Sequence, residues 1–284
     1  MRLVRAIKEM RDYSEGASAR GQRLSLVPTM GALHEGHLSL VRAAREKSSV
    51  VVVSIFVNPT QFGPNEDFAK YPRRVETDCG LLEKQQVDVV FAPSAEEIYP
   101  NGATTWVTVE GMSERLCGKS RPGHFRGVTT VVAKLFNIIE PDAAFFGQKD
   151  AAQVAIIRQM VRDLNMPVSI EVCPIVREPD GLALSSRNAY LNSEERKVAL
   201  VLYRSLLKAQ QLFVTGERDP AKLIGAGKQE FAKEPAARLD YFEVVDPDSL
   251  EPVLTITKPA LAAVAAFLGS TRLIDNILLD PHTK

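Results

Sequence analysis

The sequence predicts an α/β protein: a domain built on a parallel β-sheet, followed by a smaller α+β domain. Between residues 24 and 57 a strand, a helix and a second strand follow one another closely. The second strand, at 49–57, is a nearly continuous β-branched run, which is typical of strands buried on both faces of a parallel sheet. From residue 193 onward the order changes to helices and then strands, which is typical of a domain with an antiparallel sheet. We therefore expect one domain over 1–176 and a second over 177–284.

Each element follows from a local pattern of apolar residues and turn residues. For the first domain we predict strands at 24–27, 49–57, 87–92, 104–109, 143–146 and 168–176. Helices are expected through 38–44, over 73–86 and 128–139, and through 156–164. For the second domain we predict helices at 193–213 and 219–233, and strands at 239–245, 262–268 and 273–279. Asn192 and Glu195 have the spacing of a capping box for the long helix.

The composition excludes several classes of protein. Lysine plus arginine and aspartate plus glutamate number 35 each, so no net charge favours nucleic acid or a membrane surface as a partner. The three cysteines, Cys79, Cys117 and Cys173, lack metal-type spacing, which indicates thiols in a reducing compartment. No apolar run has the length of a signal sequence or a membrane span. We expect a cytoplasmic protein that binds neither nucleic acid nor membranes.

A His-x-Gly-His turn joins the first predicted strand to the following helix. His34 and His37 would share one face of a helix that has begun, and the backbone donors and dipole of a helix N-terminus favour an anion. Gly36 leaves room for close approach of a ligand. The turn therefore predicts a nucleotide-phosphate site, with a plain turn carrying two surface histidines as the alternative.

Polar loops follow other predicted strands. Asn58 and Gln61 come after the second strand, where ligands bind in open parallel sheets, and their amides offer both donors and acceptors to an uncharged substrate group. For Asn58, ordinary Asn-Pro turn chemistry is the alternative. The segment 117–127 gathers lysine, arginine and His124 in a glycine-rich loop before a helix, which could fold over a charged ligand, with a solvated basic turn as the alternative. Its Gly-Lys-Ser is not a P-loop, because Ser113 stands where that motif needs glycine.

Two further loops carry phosphate-compatible groups. Lys149 follows a strand end and can meet phosphate oxygens, while Asp150 is a candidate helix cap, magnesium ligand or both. The segment 184–188 presents two hydroxyls and a guanidinium, a set that suits a polyphosphate. A mobile surface loop is the alternative for this segment.

Five motifs together make the sequence resemble the pantoate-β-alanine ligase (pantothenate synthetase) family. The motifs are Pro-Thr-Met-Gly-Ala-Leu-His-Glu-Gly-His at 28–37, Phe-Val-Asn-Pro-Thr-Gln-Phe at 56–62, Arg-Pro-Gly-His-Phe-Arg-Gly-Val at 121–128, Phe-Gly-Gln-Lys-Asp-Ala-Ala-Gln at 146–153 and Leu-Ser-Ser-Arg-Asn at 184–188. Thr60, Gln148 and Leu184 stand where methionine, glutamate and methionine are usual in that family. None of these departures removes a charged or amide contact.

The resemblance implies a Rossmann-like nucleotide-binding domain of the HIGH nucleotidyltransferase type, a C-terminal lid domain and a homodimer. The implied reaction joins pantoate to β-alanine through a pantoyl-adenylate made from ATP, with Mg2+ accompanying the ATP. The ATP contacts implied are Met30, Gly31, Ala32, Leu33, His34, Glu35, Gly36, His37, Gly147, Gln148, Lys149, Asp150, Val176, Leu184, Ser185, Ser186 and Arg187. The catalytic residues implied are His34, His37, Lys149 and Arg187. Pantoate would be held by Gln61 and Gln153, with Asn58 and His124 as further substrate-binding candidates.

Two alternatives stay open from the sequence. Another nucleotidyltransferase of the same superfamily would transfer a nucleotide to a phosphate ester, but the amides Gln61 and Gln153 favour an acceptor without a phosphate. A non-catalytic nucleotide-binding or RNA-binding module is the other alternative. Balanced charge and the lack of a basic face with interleaved aromatic residues argue against RNA.

Overall fold

The computed structural model describes residues 1–64 and 66–282. Within them the chain forms two compact units. The first unit comprises Met1–Ser113, Arg121–Gly147 and Ile156–Pro174, and the second comprises Glu114–Ser120, Gln148–Ala155 and the chain from Ile175 onward.

The first unit is organised around a six-stranded parallel sheet, which confirms the fold class predicted for the first domain. Its strands are β1 (Arg2–Val4), β2 (Leu24–Thr29), β3 (Val50–Ile55), β4 (Val89–Phe91), β5 (Ala143–Gly147) and β6 (Ser169–Cys173). Along the chain as far as β6, the helices are α1 (Ile7–Ala19), α2 (Glu35–Lys47), α3 (Val75–Lys84), α4 (Ala95–Ile98), α5 (Cys117–Ser120), α6 (His124–Ile139) and α7 (Ala151–Asp163). Of these, α5 and the first five residues of α7 belong to the second unit. Strand β3 is buried along its whole length, as its β-branched sequence predicts.

The strand order β1-β4-β3-β2-β5-β6 places a topological switch point between β2 and β5. The chain builds outward from β2 through β3 to β4 and then returns to add β5 and β6 on the other side of β2. In open parallel sheets, ligands bind outside the carboxyl ends of the strands at such a point. The His-x-Gly-His turn directly follows β2.

The second unit contains a three-stranded antiparallel sheet, as predicted. Its strands are β7 (Ala237–Val245), β8 (Ala260–Leu268) and β9 (Thr271–Leu279). Its C-terminal helices are α8 (Ser193–Ala199), α9 (Val201–Val214) and α10 (Pro220–Phe231). Apolar side chains from these helices and from the sheet form one buried core.

Several predictions of individual elements need correction. Residues 104–109 form no strand: the Val107 N–H donates to Thr130 Oγ1 at 3.0 Å, and Thr129 Oγ1 donates to the Val107 carbonyl at 2.7 Å. Hydroxyls of α6 thus occupy the backbone groups that a neighbouring strand would use. The helix predicted over 193–213 is two helices that meet at Leu200, although its capping box of Asn192 and Glu195 is confirmed. Strand β1 and helix α1 were not predicted.

Among the helices that the structure describes, none is long and apolar enough to span a membrane.

Candidate active site

A buried carboxylate shapes the turn that follows β2. Gly31 and Ala32 both have positive φ, at 80° and 51°, and the backbone turns sharply there. Asp78 of α3 accepts hydrogen bonds from the Ala32 and Leu33 N–H groups, each at 2.9 Å. A Cβ at Gly31 would lie 3.0 Å from Asp78 Oδ2, so a side chain there would press on this contact. Thr29 Oγ1 accepts a further hydrogen bond from the Gly31 N–H at 3.1 Å.

Asp78 is only 2% exposed, and this burial governs its protonation. Burial raises the pKa of the Asp78 carboxyl above its usual range, while the backbone hydrogen bonds from Leu33 and Ala32 oppose that rise. Asp78 could not be predicted from the sequence, because one aspartate within a helix has no local pattern that marks it.

The hydrogen bonds of His34 and His37 fix the orientation of both rings. His34 caps α2, and its Nδ1 accepts from the Gly36 N–H at 3.2 Å. The Nδ1 atom of His37 accepts from the His34 N–H at 3.3 Å, and the two ring centroids are 4.1 Å apart. A ring nitrogen that accepts carries no proton, so the neutral form of each ring has its proton on Nε2. Both imidazoles therefore act as Nε2 donors at the N-terminus of a helix.

Asn58 is 1% exposed, and its amide is fully engaged within the protein. Its Nδ2 donates to Gln61 Oε1 and to the Gly127 carbonyl, both at 3.1 Å. Its Oδ1 accepts from the Thr60 hydroxyl and from the Tyr99 hydroxyl, both at 2.9 Å. Burial raises the pKa of Tyr99, although the hydrogen bonds to Thr60 and Asn58 oppose the rise, so its hydroxyl remains a donor. The side chain of Asn58 therefore orients Gln61.

Gln61 connects the turn at residues 59–61 to the loop that contains the His-x-Gly-His motif. Its Nε2 donates to Met30 Sδ at 2.9 Å. The structure thus brings Gln61, predicted to bind pantoate, next to Met30, predicted to contact ATP.

Gly127 allows helix α6 to approach the turn at residues 59–61. A Cβ at Gly127 would lie 2.3 Å from the Thr60 carbonyl oxygen and 2.7 Å from the Gln61 nitrogen. Real Cβ atoms essentially never approach so closely, so only glycine fits without displacing the turn.

His124 and Arg121 both donate hydrogen bonds to the Gln61 carbonyl. His124 Nδ1 donates to the Gln61 carbonyl at 2.8 Å, and its Nε2 accepts from Arg121 Nη1 at 2.9 Å. The neutral His124 ring therefore carries its proton on Nδ1, whereas the neutral His34 ring carries it on Nε2. Arg121 also forms a bidentate ion pair with Glu66, with both N–O distances at 2.6 Å. Burial alone would raise the pKa of Glu66, but the hydrogen bond and charge of Arg121 outweigh it and the pKa is lowered.

In the second unit, Asn276 of β9 holds the turn that carries Lys149. Its Nδ2 donates to the carbonyls of Gln148 and Lys149 at 2.9 and 3.0 Å. Gln148 Nε2 returns a hydrogen bond to Asn276 Oδ1 at 3.1 Å. Asp150 is exposed, and Gln153 lies half-buried on the first turn of α7.

A short hairpin carries the other residues of the second unit that are predicted to contact ATP. The Leu184 N–H donates to the Val176 carbonyl at 3.0 Å, and Arg177 pairs with Ala183. The hairpin turns at Gly181, where φ is 96°, so the predicted Pro-Asp-Gly turn is present.

Ser185 begins a 3-10 helix over Ser186–Tyr190. Its hydroxyl accepts from the Arg187 N–H at 3.2 Å. Ser185 and Lys149 line the same small pocket. Two of the predicted phosphate-binding segments therefore meet within one unit.

The remaining predicted ATP contacts lie at the ends of helix α2 and strand β5. Glu35 is exposed on the first turn of α2 and forms an ion pair with Arg42. Gly147 is the last residue of β5.

Among the described residues, no three histidine, cysteine, aspartate or glutamate side chains cluster as they would to hold a metal ion.

Comparisons with known proteins show the family of this chain. A family model described as Pantoate-beta-alanine ligase matches residues 2–278. The chain is 60% identical to the pantothenate synthetase of Koribacter versatilis over 99% of this chain and 96% of that protein. The crystal structure of pantothenate synthetase from Thermus thermophilus has a TM-score of 0.94 and 46% identity, covering 99% of this chain and 100% of that one.

The pantoate-beta-alanine ligase of Francisella tularensis, whose crystal structure is complexed with "Beta-gamma ATP and Beta-alanine", has a TM-score of 0.79 and 36% identity. Its alignment covers 98% of this chain and 97% of that one. This chain belongs to the pantoate-β-alanine ligase family.

Proposed function

We propose that this chain condenses pantoate with β-alanine to give pantothenate, consuming ATP and releasing AMP and pyrophosphate through a pantoyl-adenylate. The contact of Gln61 with Met30 carries the proposal, because it sets an amide suited to a hydroxy acid beside a loop suited to a nucleotide. The Francisella relative, complexed with an ATP compound and β-alanine, supports the same substrates.

The first step needs alignment and positive charge, not a general base. A carboxylate with a pKa of about 4 is already ionised at neutral pH. Its oxygen attacks the α-phosphorus of ATP, and the bond from that phosphorus to the bridging oxygen of the leaving pyrophosphate breaks. The barrier is the approach of two anions, which fixed donors and cations lower.

We assign the donors to four side chains. The Nε2 donors of His34 and His37 would contact ATP phosphates at the start of α2, where the helix dipole also favours an anion. Lys149 and Arg187 would balance the charge that develops on pyrophosphate. The wider set of ATP contacts is residues 30–37, 147–150, 176 and 184–187.

We assign pantoate to Gln61 and Gln153. Asn58 and His124 act on the substrate through Gln61, since Asn58 holds its side chain and His124 holds its carbonyl. In the second step, the neutral amine of β-alanine attacks the acyl carbon, AMP leaves and the amine loses a proton.

Mg2+ is proposed to arrive with ATP. Magnesium usually binds through phosphates and one or two carboxylates, and the exposed Asp150 beside Lys149 fits such a partial ligand set. When bound, the ion would neutralise charge on the phosphates.

We propose a cytoplasmic setting for this chain. All three cysteines are free thiols, which supports a reducing, cytoplasmic compartment. A homodimer is the assembly that the family resemblance predicts.

Isotope exchange between labelled pyrophosphate and ATP tests the proposal. With pantoate present and β-alanine absent, we expect exchange, because adenylate formation is reversible. Omitting pantoate is the control and should abolish it. Exchange without pantoate, or none with it while ATP still binds, would contradict the proposal and favour a different acceptor or a non-catalytic module.

A further inference from the structure

Two adjacent residues of β9 contact the neighbourhood of the proposed ATP-phosphate segments: Asn276 bonds the turn at 148–149, and Asp275 bonds Arg177 in the hairpin that leads into residues 184–187. Asp275 and Asn276 are both 3% exposed, so their polar atoms are withdrawn from water. Buried polar groups need hydrogen-bond partners within the protein. The partners of Asn276 lie on the turn at 148–149, and the partner of Asp275 lies on the hairpin at 177–183.

Asn276 fixes the path of the backbone at Lys149. One amide group donates to two consecutive carbonyls, those of Gln148 and Lys149, at 2.9 and 3.0 Å. The third hydrogen bond, from Gln148 Nε2 to Asn276 Oδ1, closes the contact from the opposite direction. The two bonds to consecutive carbonyls restrict both peptide planes, and the direction of the Lys149 side chain follows from those planes.

Asp275 fixes the hairpin that leads to Ser185. Arg177 donates to both carboxylate oxygens of Asp275, at 2.6 and 2.9 Å, and also to the Gly181 carbonyl at 3.0 Å. Asp275 itself lines the small pocket shared by Lys149 and Ser185.

We infer that Asn276 is a positioning residue for Lys149 in adenylate formation, with Asp275 holding the Ser185 segment in register with it. The inference rests on the proposed role of Lys149. It gives the C-terminal sheet an indirect part in the first step, since adjacent residues of one strand hold the Lys149 turn and the hairpin that leads to Ser185.

The test uses pantoate-dependent pyrophosphate–ATP exchange by the full chain. Asn276→Asp keeps the size of the side chain but replaces two N–H donors with an oxygen that faces two carbonyls. Asn276→Ala removes the group altogether and serves as the second variant. Asn137→Ala is the matched control, because Asn137 also donates its amide to a carbonyl, that of Ala133 at 2.8 Å, but lies on α6.

We expect both Asn276 variants to lose about 10- to 100-fold in exchange rate at saturating ATP and pantoate, since small misplacements of a catalytic group have effects of that size. The KM for pantoate should stay close to wild type, and Asn137→Ala should exchange normally. Combining Asn276→Ala with Lys149→Met should be no slower than Lys149→Met alone, because residues that act as a unit are not additive. Thermal unfolding of each variant shows that the compared proteins are folded.

The outcomes separate this inference from the proposed function. If Lys149→Met leaves exchange unchanged, the role of Lys149 is refuted and the inference with it. If Lys149→Met slows exchange but folded Asn276→Asp and Asn276→Ala proteins exchange normally, the inference alone is refuted. Losses that multiply in the combined variant would also overturn it.

Discussion

Replacing Gly127 by alanine tests whether the close packing of α6 against the turn at 59–61 positions Gln61. The new Cβ would lie 2.3 Å from the Thr60 carbonyl oxygen, whereas ordinary contact begins at 3.4 Å, so the turn must retreat by about 1.1 Å (3.4 minus 2.3). Gly127 does not have positive φ, and alanine suits a helix, so the effect is steric. Overpacking of this kind costs about 1–3 kcal/mol of stability.

Displacing the turn moves the side-chain amide of Gln61, which we assign to pantoate, so the main effect should be weaker pantoate binding. A misplacement of about 1 Å costs up to about 100-fold, and we expect the KM for pantoate in the exchange assay to rise at least about 10-fold. The KM for ATP should change much less. Gly225→Ala is the matched control, because Gly225 is a helical glycine with no atom within 4 Å of an added Cβ. A folded Gly127→Ala protein with wild-type KM for pantoate would refute the reasoning.

Three further predictions concern single contacts of the first unit. His37→Asn keeps an acceptor near the Nδ1 position but removes the Nε2 donor; we expect single-turnover adenylation to fall about 100- to 1,000-fold, and an unchanged rate would remove His37 from the catalytic set. Gln61→Ala should raise the KM for pantoate about 10-fold, which corresponds to the loss of about 1.4 kcal/mol, and a KM equal to wild type would withdraw Gln61 as a ligand. Because Arg121 lowers the pKa of Glu66, this pair stabilises the fold above the ordinary glutamate pKa and the contribution is lost as the pH falls through the lowered value. Glu66→Gln should therefore flatten the acid side of the profile of unfolding free energy against pH, and identical profiles for both proteins would contradict this.

The elements and motifs could be predicted because their signals are local. The run at 50–55 indicates a buried strand from its own residues, and the capping box of Asn192 and Glu195 needs only a spacing. Residues 104–109 show the limit of such signals. Their alternation resembles a strand, but hydroxyls of Thr129 and Thr130, more than twenty residues away in sequence, take the backbone hydrogen bonds.

The supporting residues of the site could not be predicted for the same reason. The side chain of Asp78 contacts a loop 46 residues away in sequence, and that of Asn276 contacts a turn 127 residues away. Gly127 acts on a turn 67 residues away because it has no side chain, which allows close packing there. Nothing adjacent to Asp78 or Asn276 in the sequence marks that use, and the motif at 121–128 that contains Gly127 does not show which loop Gly127 packs against. The glycine at position 127, within the first turn of α6, is the one available signal, since glycine costs helix stability and so calls for a packing reason.

The supporting contacts share a principle that bears on the first reaction step. His34 and His37 are held through Nδ1, the Gln61 side chain through Asn58, and Lys149 through its backbone carbonyl. For the two imidazoles and for Lys149, the holding atom differs from the atom assigned to substrate, which is Nε2 in the imidazoles and the ammonium in Lys149. Donors fixed in this way need no reorganisation when charge develops on the leaving pyrophosphate, and that saving is the main source of electrostatic catalysis. The supporting shell should therefore affect the rate of adenylation more strongly than the binding of ATP.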